Sequence, residues 1–166
     1  PRATIEHILA AAQRTASWCN AQPWQLHIAS GATLAALRNA LQARVAGGPP
    51  QPDLPWPREY RGVYQERRRE CGLGLYDAVG IARGDRAASA LQAAQNFTMF
   101  GAPHVAIVTS DEALGVYGAV DCGAYVSSFM LTAHSLGVGS IAQAALAAYP
   151  GVLREVLGIG QDRSIV

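Results

Sequence analysis

Apolar positions along the chain recur at two periods. Ile5, Ile8, Leu9 and Ala12 follow the helical spacing i, i+3, i+4, i+7. Thr4 is placed to cap the first turn of that helix, where Glu6 suits the dipole. The polar run "SWCNAQ" ends it, and Pro23 bars its continuation. Over residues 24–29 apolar and polar side chains alternate, as in a half-buried strand. Gly31 turns the chain, and Leu34, Leu37, Leu41 and Val45 then share one face of a second helix.

The pattern breaks over residues 47–57, "GGPPQPDLPWP", too proline-rich for a helix or a central strand. This is a surface loop of the length that usually covers a site. A third helix starts near Tyr64 and runs through "QERRRECGLGLYDAVGIA" despite Gly72 and Gly74, until Gly84 and Asp85 break it. A fourth covers residues 86–99. "HVAIVTS", residues 104–110, is a nearly unbroken β-branched run and predicts a strand buried on both faces. Residues 116–136 are apolar almost all round, which predicts a long central helix. A glycine-spaced extended segment, "GVGSIAQ", follows. "YPGVLREVLG" is a short helix with Pro150 near its start and Gly158 past its end. "SIV" begins another strand. No internal repeat interrupts this order. The expectation is one α+β domain over residues 1–166, with helices covering a small, mostly antiparallel sheet.

Composition narrows the class. The chain has 166 residues, 50% of them hydrophobic and only 15% charged, enough apolar material for a core and too little charge for disorder. Net charge is +1, so no broad field gathers nucleic acid or an anionic membrane. The basic side chains are all Arg. Cys19, Cys71 and Cys122 are odd in number and far apart, matching neither a disulfide framework nor a zinc spacing. That usage points to a reducing cytoplasm. Asp121, Ser127, Ser128, Thr132 and His134 interrupt the long apolar run, favouring a buried helix over a membrane span. The chain opens at Pro1 and stops at Val166 within an apolar run, which raises the expectation that it is part of something longer.

The stretch "SWCNAQPW", Ser17 to Trp24, concentrates the candidate chemistry. Cys19 as a nucleophile would need a positioned histidine base, but His7, His27, His104 and His134 are scattered. It also follows a helix C-terminus, where the dipole disfavours a thiolate. A small hydrophobe filling a loop is the simpler reading of Cys19. The same stretch also reads as a binding wall. Asn20 and Gln22 each carry a donor and an acceptor, Ser17 adds a hydroxyl, and Trp18 or Trp24 can supply an apolar face. Such a set suits a heterocycle edge that alternates carbonyls with N–H groups. Equally, Asn20 could cap a turn and Trp24 could be core.

"TASWCNAQPWQLHI" resembles the segment written A-P-S-x-x-N-x-Q-P-W in FMN-dependent nitroreductases, with Ala16 where the family usually has Pro. The resemblance continues through "NFTMFGAPHVAIVTSD" and "YGAVDCGAYVSSFMLTAHSLGVGSIAQAALAAYPGVLREVLGI", in order and over most of the chain. It implies an α+β sandwich that dimerises extensively, with two FMN sites in the subunit interface. It implies that Ser17, Trp18 and Asn20 meet the isoalloxazine ring from the partner subunit, with Gln22 bracing their loop. Asn96, with Gln92 one turn earlier, would contact the pyrimidine edge. Ser140, Ile141, Ala142 and Gln143 would pass their backbone along the ring near N5, and Gly137 and Gly139 would let that backbone come close. The family holds the FMN phosphate with an N-terminal R-x-S-x-R segment and an Arg beyond the last strand. Neither Arg2 nor Arg163 matches those positions, and the family's Lys near flavin N1 is absent; Arg67, Arg68 and Arg69 are possible substitutes or a solvated helix face.

The function implied is an NAD(P)H-dependent flavoenzyme that reduces nitroaromatics or quinones by a ping-pong sequence, the flavin carrying the chemistry and no side chain serving as a catalytic acid or base. No metal is implied. A non-catalytic flavin-binding or dimerisation module is the alternative. Trp56, Tyr60 and Tyr64 would either stack on an aromatic substrate at the pocket rim or belong to the interface.

Overall fold

The computed structural model describes residues 1–166. Three strands, β1 (Gln25–Ser30), β2 (His104–Asp111) and β3 (Arg163–Ile165), form one antiparallel sheet in the order β1-β2-β3. Gln25 pairs with Thr109 and Ser30 with His104, while Thr109 also pairs with Ile165. Six helices surround the sheet: α1 (Arg2–Ala12), α2 (Gly31–Ala46), α3 (Val63–Ala78), α4 (Arg86–Ala94), α5 (Gly115–Ser135) and α6 (Pro150–Leu157). The architecture is α+β.

Strand alternation divides the apolar side chains between two cores. Ala29, Ile107 and Ile165 point to one face and join Leu34, Leu37 and Leu41 of α2 and Leu153 of α6. Leu26, Val108 and Val166 point to the other, against Ala12 of α1, Trp24, and Cys122 and Tyr125 of α5. The Trp24 and Tyr125 rings lie 4.9 Å apart at 31°. β2 thus feeds both cores, as its β-branched run predicts, and only its first residue, His104, is exposed. The second-helix face behaves as expected: Leu34, Leu37 and Leu41 are fully buried, and Val45 packs against them.

α5 sits so close to β2 that Gly118 admits no side chain: a Cβ there would collide with Ser110 Oγ. This packing places the helix inside the domain, although residues 112–135 are long and apolar enough to cross a membrane by length and composition. Yet the helix is not enclosed. Val116, Tyr117, Val120 and Leu131 are exposed on its outer side, so the expectation of a central helix holds for one face only.

Three other boundaries differ from the sequence expectation. The first helix begins at Arg2, which leaves Thr4 inside it, and no side chain caps its N-terminus. The third helix stops at Ala78 instead of running to residue 82. Gly80 adopts φ +72°, the Gly80 N–H bonds to Asp77 O and the Ile81 N–H to Tyr76 O, a Schellman closure that only a left-handed residue allows. The fourth helix ends at Ala94 and tightens into a 3-10 turn, Gln95–Gly101. There Asn96 Nδ2 and Thr98 Oγ1 donate to Ala93 O and Gln95 O, competing with the helical ladder.

The proline-rich loop is anchored at Asp53. Its carboxylate takes a bidentate bond from Arg154 of α6, at 3.1 and 2.7 Å, and a third from the Ile165 N–H of β3 at 2.9 Å. Beyond the anchor, Trp56, Tyr60 and Tyr64 are exposed, and Arg68 lies over the Tyr60 ring at 5.2 Å. α3 buries none of its residues within the chain.

Candidate functional site

The candidate loop is a short 3-10 turn, Trp18–Asn20, between α1 and β1. Cys19, Asn20 and Gln22 all hold positive φ, 49°, 57° and 48°, a costly conformation for residues with a Cβ. Three contacts compensate. The Trp18 N–H donates to both carboxylate oxygens of Asp121 at 3.1 Å. The Gln22 N–H donates to Ser17 Oγ at 2.9 Å. Beneath the loop, the buried Arg163 donates to Pro23 O at 2.6 Å and to Thr109 O at 3.0 Å. Arg163 therefore fastens the loop to the sheet, and its guanidinium is committed there.

A line of side-chain bonds runs from the core to the tip of the loop. Trp24 Nε1 donates to Gln13 Oε1 at 2.9 Å, Gln13 Nε2 to Gln22 Oε1 at 2.8 Å, and Gln22 Nε2 to Asn20 Oδ1 at 2.8 Å. Trp24 is buried and serves as core, so of the two indoles only Trp18 is free to offer a face. Trp18 is 63% exposed and lies 5.1 Å from the Tyr117 ring of α5. Ser17, Trp18, Asn20 and Gln22 are thus brought together on one tip, with Asn20 and Gln22 exposed.

The other candidates stand apart. Asn96 lies in the 3-10 turn after α4, which Arg38 of α2 clamps through Thr98 O and Ala102 O at 3.0 and 2.6 Å. One of its two Nδ2 hydrogens is used on Ala93 O, while Oδ1 has no partner within the chain. Gln92 is half-buried on α4. Gly139, Ser140, Ile141 and Ala142 are exposed in the segment after α5, and Gln143 is half-buried. Gly137 closes α5: its φ is +71°, and the Val138 N–H reaches back to Ala133 O. No hydrogen bond joins these segments to the 17–22 loop within one chain. A hollow of about 320 Å³ lies elsewhere, lined by Ala3, Thr4, His7 and Leu136.

The titratable groups offer no acid–base pair. Burial pushes the Cys122 thiol up to about 11 and raises Tyr125. His27 is lowered, by burial first and by the Arg163 charge second. No group of His, Cys, Asp and Glu could hold a metal ion.

Sequence reasoning missed Gln13, Asp121 and Asp53. Asp121 carried a signal: it is the one carboxylate in a 21-residue apolar helix, and a buried charge demands partners. Trp24 carried another, since a buried indole N–H needs an acceptor. Asp53 gave none, being one polar residue in a loop whose destination is set by tertiary packing.

Known proteins resemble this chain in sequence and fold. Over 161 residues the chain is 34% identical to nitroreductase NfnB of Mycolicibacterium smegmatis (strain ATCC 700084 / mc(2)155), covering 96% of this chain and 68% of that protein. It is 30% identical to a 4-nitrobenzoate reductase of Pseudomonas putida, covering 99% and 73%. A crystal structure of the FMN and NADPH-dependent nitroreductase NfnB from Sphigopyxis sp. strain HMH superposes with a TM-score of 0.95 at 33% identity, over 99% of this chain and 75% of that one. The Nitroreductase family model matches residues 1–166, and this chain belongs to the nitroreductase family.

Proposed function

We propose that this protein is an FMN-dependent oxidoreductase that passes electrons from NAD(P)H to nitroaromatic compounds, with quinones as further acceptors, in a ping-pong sequence. The observation that carries the reading is the strained, amide-bearing tip at residues 17–22, set in a chain that belongs throughout to the nitroreductase family. Relatives of known activity reduce 4-nitrobenzoate, and neighbouring structures are FMN- and NADPH-dependent.

The residues present fit a flavin. Asn20 keeps an unengaged Nδ2, Asn96 keeps its oxygen and one N–H, and Trp18 offers an exposed indole, a set that suits an edge of alternating carbonyls and N–H groups beside an apolar ring. Ser17, Trp18 and Asn20 would hold the ring from one subunit, with Gln22 bracing their loop. Asn96, Gln92 and the backbone of Gly139, Ser140, Ile141, Ala142 and Gln143 would hold it from the other. FMN, when bound, supplies the redox chemistry, accepting hydride and returning electrons to the acceptor. The chain's own work is to orient the ring, cover one face and leave the other open to the nicotinamide and then to the nitro compound.

The same reading makes the enzyme a homodimer. The exposed Val116, Tyr117, Val120 and Leu131 form an apolar face, and Tyr117 joins it to Trp18 at the tip. A cytoplasmic setting suits three free, dispersed cysteines.

The test is a visible spectrum. Protein mixed with excess FMN and desalted is expected to stay yellow, bleach with NADPH under argon and regain colour with 4-nitrobenzoate. Protein that stays colourless sinks the flavin reading. Yellow protein inert to NADH and NADPH sinks the enzymatic one and leaves a flavin-binding module.

A further inference from the structure

The three side-chain bonds beneath the loop have a direction, and the direction has one source. An indole N–H can only donate. Trp24 is buried and stacked on Tyr125, so its donor is fixed in place. Gln13 must therefore turn its oxygen to Trp24, which leaves its nitrogen for Gln22. Gln22 must accept there and donate onward to Asn20 Oδ1. With its oxygen engaged, Asn20 has Nδ2 as the atom left facing out. Reversing Gln13 or Gln22 would set donor against donor and oxygen against oxygen at two joints of the line, and reversing Asn20 would set donor against donor at one.

We propose that Gln13 is a positioning residue that carries the fixed polarity of the Trp24 indole through Gln22 to Asn20, so that this position of the flavin site presents a donor. It therefore receives an acceptor of the ligand, a ring carbonyl or an unprotonated ring nitrogen. The proposal rests on the flavin reading above for the identity of the ligand, but not for the polarity itself. Asn96 makes the contrast: one of its two N–H groups is held by Ala93 O and nothing upstream fixes the other, so it carries no imposed polarity.

Gln13→Glu tests this because it keeps the shape and changes only the polarity. The introduced carboxylate still accepts from Trp24, but it can only accept from Gln22. Gln22 then turns its nitrogen inward and its oxygen to Asn20, and Asn20 presents its oxygen outward. Gln13→Met keeps the bulk and removes both polar atoms. For the full chain titrated with FMN, Gln13→Glu is expected to weaken binding about tenfold and Gln13→Met by less, about threefold. A purely structural role predicts the reverse order, since the Gln13→Glu variant retains the bond to Trp24. The loss should persist in about 0.5 M salt, where a simple charge effect is screened.

The second readout needs no flavin. In the ¹⁵N-labelled protein, side-chain amide exchange should be slow at Gln13 and Gln22 and fast at Asn20. In Gln13→Glu the slow signals should move to Gln22 and Asn20. Fast exchange at Gln22 in the parent, or Gln13→Glu and Gln13→Met variants that bind FMN as the parent does, overturns the relay. If the parent binds no FMN, the flavin reading falls, and the exchange pattern still decides the polarity.

Discussion

At the scale of single residues, the cysteines separate cleanly. Cys122 is buried, and its thiol is pushed up to about 11, so it is a packing residue at neutral pH. Cys19 and Cys71 are exposed. Native, dilute subunits are expected to react with two equivalents of DTNB, with the third thiol reacting only after denaturation. Cys19 has no base beside it, and Cys19→Ser should leave NADPH-driven nitroarene reduction within about twofold of the parent. His27 gives a pH dependence. Its side chain is held neutral in the fold, below the ordinary value near 6.5, by burial and by Arg163. As pH falls through about 6.5 the unfolded chain takes up that proton first, so this contribution is complete above that pH and is lost below it. Melting curves between pH 8 and about 5 should show the fall, and His27→Phe should flatten it. The amide-bearing tip was legible in "SWCNAQ"; the bonds that orient it were not, because Gln13 and Trp24 meet only once α1 and β1 have packed.

At the scale of elements, periodicity, β-branched runs and Gly/Pro breakers located the strands and helices, while ends and anchors escaped them. Leu34, Leu37 and Leu41 announce α2 because each lands in one core. The end of α3 escaped because Gly72, Gly74 and Gly80 look alike in sequence, and only Gly80 takes a left-handed conformation. The exit of the proline-rich loop is governed by Asp53, which a pattern of polar residues cannot distinguish. Its side chain and that of Arg154 are 18% and 13% exposed, so the pair is largely desolvated. Asp53→Ala would leave the Arg154 guanidinium with only its bond to Arg163 O and no counter-charge, and free the Ile165 N–H. The expected cost is about 3 kcal/mol, read from urea denaturation. Asp53→Asn, which can keep an acceptor for Ile165, should cost less.

At the scale of the whole molecule, one chain holds two finished cores and an unfinished outer side. The alternation of β1 and the β-branched run of β2 announced the strands, and the family resemblance implied the sandwich. The one-sided burial of α5 was not, since an apolar helix reads alike whether its second face meets its own chain or another. If that face is the dimer seam, Leu131→Glu, at a position 71% exposed in the single chain, should leave the fold intact. Sedimentation should then show lone subunits, and FMN retention should drop with assembly. A dimer that persists, with flavin bound, would move the seam elsewhere.

α3 is a second element that the single chain leaves uncovered. Sixteen residues with none buried do not hold a helix in water for long. Its order in an isolated subunit is therefore short-lived, and its lifetime can be timed with trypsin. Arg67, Arg68 and Arg69 offer a run of cleavage sites, all exposed. Diluted subunits should be nicked there within minutes, and concentrated, cofactor-loaded protein should resist. A protease would then report assembly more directly than any colour change.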